Sequence, residues 1–126
     1  MHIVPNNEKL FKYGMTESSL CDFSNSSTES NIHLFWECSN IQPFWCEITT
    51  FLNDTLNISD EIALSYRSIS FCNVDTNNKR KSNCTNYIIL LGKYFIFKNK
   101  YQKTIPNFND FRYYLKHNLN LEGLIA

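Results

Sequence analysis

Glycine is scarce in this chain, three residues in 126, and proline is no more frequent. Few tight turns follow from that, and no glycine-rich phosphate cradle is written anywhere in it. Long apolar runs are missing too. The longest, YIILLGKYFIF at 87–97, is broken by Gly92 and Lys93, whereas a bilayer span needs roughly 20 residues. No membrane segment is therefore expected, and the opening MHIVPNNEKL has no apolar core of a secretory leader. The five cysteines are an odd number without the even, close spacing of a disulfide framework, which points to reduced thiols and an intracellular setting. No paired carboxylates suggest a cleft, no Ser/His/Asp order stands out, and the three histidines are scattered at 2, 33 and 117. The expectation is a protein that is not an enzyme.

What is present is a large apolar fraction, 43% of residues with 15% aromatic, enough to bury a core as one domain. Four N-x-[ST] triplets begin at Asn25, Asn53, Asn57 and Asn83, but a chain this rich in Asn, Ser and Thr yields about three by chance. Acidic residues are concentrated at one end. Residues 1–78 hold 10 acids against 3 bases, while residues 79–126 hold 9 bases against 2 acids. Either the halves attract and pack together, or the basic half meets phosphate.

Periodicity predicts a mainly α-helical chain. Pro5-Asn6-Asn7 opens a short helix with Leu10, Phe11 and Met15 on one face and Gly14 near its end. A polar loop, TESSLCDFSNSSTES, follows and presents Cys21. Ile32, Phe35 and Trp36 then keep helical spacing up to a break at Ser39-Asn40 and Pro43. Ile41, Phe44, Trp45, Ile48, Phe51 and Leu52 predict an amphipathic helix ending at Asn53-Asp54. The stretch from Glu61 to Phe71 suits a strand or a short helix, with an exposed loop after it that includes Lys79, Arg80 and Lys81. Residues 85–101, apolar on most sides, predict a helix buried on several faces, stopped by Pro106. A last helix is capped by Asn107 and aligns Phe108, Phe111, Tyr114, Leu115 and Leu119. The expected organisation is a knuckle-like helical region at 1–57, an irregular connection at 58–82 and a helical hairpin at 83–126, all in one globular unit.

Within the loop the spacing is Cys21-x2-Ser24-x8-His33-x4-Cys38. Zinc takes four tetrahedral ligands, and here three are of the right kind. Serine is a poor fourth, because its hydroxyl ionises far less readily than a thiol, so zinc is doubtful and a water or Cys46 would have to close the shell. The competing reading makes Cys21 and Cys38 small core residues and His33 a bridge between loop and helix.

The order NNEKLFKYGMTESSLCDFS, HLFWEC, IQPFWCEITTFL and YIILLGKYFIFKNKYQKTIPNFNDFRYYLK resembles the C-terminal zinc-binding region of LINE-type non-LTR retrotransposon reverse transcriptases over nearly the whole chain. The most specific pieces are HLFWEC at 33–38 with Phe44-Trp45 after it, and the LLGKYFI block before the final helix. The resemblance implies a CCHC-like knuckle loop with Cys21, His33 and Cys38 as metal ligands, Ser24 standing where the family has a cysteine. It also implies a non-catalytic tail that helps a polymerase domain hold RNA or single-stranded or target DNA. The polymerase motif is absent, since Tyr113-Tyr114 runs into Leu115-Lys116. On this reading the chain is a truncated fragment without independent activity.

Candidate phosphate contacts are Lys79, Arg80, Lys81, Lys93, Lys98, Lys100 and Lys103, interleaved with Tyr94, Phe95, Phe97 and Tyr101. At 100° per residue, Lys93, Lys100 and Lys103 fall in an arc of about 80°. The interleaved rings are read as core. An alternative function is a helical protein-interaction module without nucleic-acid affinity.

Overall fold

The computed structural model describes residues 6–56, 63–76 and 78–118. The chain is mainly α-helical, as its periodicity predicts. The expectations for Pro5 and Leu119, and the start of the stretch at Glu61, lie outside the described residues.

Helix α1, Asn7–Lys12, is capped by Asn6, whose side chain accepts from the Lys9 N–H at 2.9 Å. It closes in a Schellman turn. Gly14 takes a positive φ of 73° and donates to Phe11, while Met15 donates to Leu10. The face expected to be apolar is mostly open, with Phe11 and Met15 exposed. The loop that follows folds back on itself through an antiparallel bridge between Leu20 and Thr28, with Asn25 in the left-handed region at its tip.

A π-helical turn, His33–Glu37, leads out of the loop and hands over to Cys38 in extended backbone. Helix α2, Gln42–Leu56, starts with Pro43 in its first turn and runs past Asn53-Asp54, because Leu56 still has a core site to fill. Helix α3, Tyr66–Phe71, resolves the strand-or-helix alternative for those residues: Ser65 and Ser68 form a reciprocal capping box, and Ile69 is buried.

Helix α4, Lys79–Gln102, is the longest. It begins earlier than expected, so Lys79, Arg80 and Lys81 lie on a helix and not in a loop. Asn78 is the reason: its side chain accepts the Lys81 N–H at 3.2 Å. The segment before it is stitched down by Asn86, which exchanges hydrogen bonds with the Val74 backbone at 2.8 and 2.9 Å. Helix α5, Phe108–Asn118, is capped by the predicted Asn107.

One core joins α2, α4 and α5 to the loop cysteines. The Phe44, Phe95 and Phe111 rings meet at its centre, with centroids 5.3 to 5.8 Å apart. Trp45 is fully buried and donates its indole N–H to the Phe35 carbonyl at 2.7 Å, tying α2 to the π turn. Gly92 makes room for it, since a Cβ there would lie 3.0 Å from the Trp45 ring. Among the described residues no helix is long and apolar enough to cross a membrane.

Candidate metal centre and basic face

Cys21, His33 and Cys38 come together. All three are buried, and their ligand atoms lie within 4.8 Å of one another. The π turn accomplishes this. In an α-helix residues five apart point about 140° away from each other, but the wide turn is closed by a bond from the Cys38 N–H to the His33 carbonyl at 3.0 Å. His33 and Cys38 thereby share a side. The loop brings Cys21 to meet them, its N–H donating to the Ser27 carbonyl and its carbonyl accepting from Asn25, both at 2.8 Å.

The geometry fits a tetrahedral metal. The sulfurs of Cys21 and Cys38 are 3.9 Å apart; two thiolates each about 2.3 Å from zinc are separated by roughly 3.8 Å. His33 Nε2 is buried and has no hydrogen-bond partner, and a metal would relieve the cost of leaving it unpaired. The N–H of Phe23 donates to the Cys21 sulfur at 3.4 Å, and the Asn40 N–H points at Cys38. Such donors favour the thiolate form that a metal requires. Burial pushes the Cys38 thiol up against them, helped by neighbouring Cys21, while the Ser24 hydroxyl adds a contact that pulls it down. Ser24 thus stands beside Cys38. Cys46 does not close the shell: it is exposed on α2, in a groove with Phe51, Phe108 and Arg112.

The same loop carries a second buried constellation, which no motif or spacing marks. Lys100 is 4% exposed and bonds Asp22 at 2.5 Å, Glu29 at 2.7 Å and the Asn7 side-chain oxygen at 2.9 Å. Glu29, fully buried, also accepts the backbone N–H groups of Asn7 at 2.8 Å and Asp22 at 3.1 Å. Burial works against the Lys100 cation, yet the Asp22 and Glu29 carboxylates outweigh it and hold its pKa above the ordinary lysine value. Lys100 therefore clasps the loop and has no charge to offer a phosphate.

The remaining basic candidates divide. Lys93 is half-buried and donates to the Ser70 carbonyl at 3.2 Å. The arc shared by Lys93 and Lys100 thus faces α3 and the loop rather than solvent. Lys81 is half-buried, while Lys79, Arg80, Lys98 and Lys103 are exposed. Lys103 is the left-handed C-cap of α4, and Lys98 sits 6.0 Å above the Tyr114 ring. The interleaved rings divide as well: Phe95 is core and Phe97 half-buried, but Tyr94 and Tyr101 are exposed. Helix α4 is thus buried on several faces, as expected, but one side of it is open.

Comparison of the chain with protein-family models, with curated proteins and with solved structures finds no match.

Proposed function

We propose that this chain is a metal-clasped, non-catalytic nucleic-acid-binding region, similar in role to the tail that follows the polymerase of LINE-type reverse transcriptases, working inside the cell on RNA or single-stranded or target DNA. The observation that carries the reading is the charge of α4: no carboxylate in 24 residues, with Lys79, Arg80 and Lys98 exposed on it. Cations crowd its first turn, where the helix macrodipole disfavours them. Bound phosphate would offset that repulsion. The Cys21, His33 and Cys38 group supports the same reading, with zinc as its metal and Ser24 or a water as fourth donor. Zinc bound there supplies folding energy rather than chemistry.

A salt titration tests it. Single-stranded RNA or DNA is expected to bind at low salt and to weaken linearly in log–log form, with a slope reporting about two to four phosphate contacts. A slope near zero, or no binding at low salt, removes the proposal. The second reading, a helical protein-interaction module, is favoured by the open apolar positions Tyr87, Leu90 and Tyr94. Light scattering separates the two: a monomer that binds nucleic acid supports the first, and a concentration-dependent oligomer without such affinity supports the second.

A further inference from the structure

At 100° per residue, an arc of about 100° on α4 contains Lys79, Arg80, Asn83, Tyr87, Leu90, Tyr94, Phe97, Lys98 and Tyr101. Phe97 is half-buried and every other residue in this arc is exposed. A solvated helix face normally alternates charges of both signs. Here the face is largely aromatic, with cations at its N-terminal end and one before its last ring, and it has no acid. Tyr87, Tyr94 and Tyr101 are 42%, 55% and 65% exposed. They recur every seventh residue, which places successive rings on one line about 10 Å apart along the axis.

We infer that this face is a stacking platform for single-stranded nucleic acid, with Tyr87, Tyr94 and Tyr101 taking base faces, Lys79 and Arg80 holding the backbone at one end and Lys98 holding it between the last two rings. The inference rests on the proposed nucleic-acid function and names its substrate class. Every base offers a π-face to an exposed ring only when it is unpaired, whereas a duplex hides those faces in its stack. The spacing of 3 and 4 through Tyr87, Leu90, Tyr94, Phe97 and Tyr101 is also that of a coiled-coil seam. Such a seam prefers branched aliphatic residues where the tyrosines stand, and charges of both signs beside it. Residues 86, 91, 93, 98 and 100, which flank this one, include no acid, and of their three lysines only Lys98 is exposed. The composition favours the strand over the partner helix.

The experiment uses the full chain and two fluorescent probes, a mixed-sequence 20-nucleotide single strand and its duplex, with anisotropy read across a salt series. The single strand is expected to bind at least about tenfold more tightly than the duplex. Tyr94→Ala and Tyr101→Ala should each lose about tenfold in affinity with the salt slope unchanged. Tyr94→Phe should keep its affinity, because the ring is retained. Arg80→Ala should instead lower the slope by about one. All three side chains are exposed, so circular dichroism should be unchanged in each of the four variants. Salt-dependent binding that ignores the tyrosines, or equal affinity for both probes, overturns the platform and leaves the proposed function standing. Absence of binding to either probe overturns both. Self-association abolished by Tyr94→Ala, without nucleic-acid affinity, assigns the face to a protein partner and overturns the inference.

Discussion

The loop that carries Cys21 and the outer face of α4 depart from the ordinary layout of a folded chain in opposite directions. Around the loop Glu29, His33 and Lys100 are buried; along α4 three tyrosines and Leu90 are exposed. The difference lies in where the partners are. Lys100 meets two carboxylates and an amide oxygen of the same chain, Glu29 collects two backbone N–H groups besides, and so these charges can stay out of water. The tyrosine rings have no such enclosure. Polar groups turned inward here serve architecture, and the apolar groups turned outward form the face that the proposed function would use.

The most damaging way to break this contrast is to strand one charge of the clasp. Lys100→Met leaves Glu29 buried without its cation and should cost about 3–5 kcal/mol in a urea melt. Adding Glu29→Gln should recover part of that loss, since the two sites are in contact and their effects do not add. Equal small losses for the single variants would mean that the clasp is open to water. The pH dependence sharpens the comparison with a smaller effect. Burial raises the Cys38 and Cys84 thiols above the ordinary 9.0, and the carboxylates raise Lys100 above 10.5. A raised folded-state pKa contributes stability that is complete below the unfolded value and is lost as pH rises through the folded one. The metal-free chain should therefore lose none of this stability below about pH 9, then weaken as the thiols ionise, and weaken further above about 10.5 as Lys100 is neutralised. Urea midpoints between pH 7 and 11 check this, and Lys100→Met should remove the upper step only.

Much of this was legible in order and spacing. The amphipathic run from Ile41 to Leu52 predicts α2 and its buried face, Asn107 caps α5 as its position suggests, and the Cys21, His33 and Cys38 spacing predicts side chains that do meet. The clasp was not legible, because Lys100 lies 78 residues from Asp22 along the chain and nothing local marks either as buried. The exposure of Tyr87, Tyr94 and Tyr101 was hidden for a different reason. A helix apolar on nearly every side reads as enclosed, and only its packing against α2 and α5 decides which side is left open. The start of α4 was obscured by its own composition: NNKRKSN looks like a loop until Asn78 is seen to accept the Lys81 N–H.

Whether the buried thiol and imidazole cluster takes a metal is tested most directly by a zinc titration against a chromophoric chelator. The chain should take up one equivalent, lost in Cys21→Ser and in His33→Ala. Ser24→Cys should bind at least about 100-fold more tightly, beyond the range that outer-shell partners command, and melt at a higher temperature. No uptake by either the natural chain or Ser24→Cys, or the same affinity in both, would contradict the metal site.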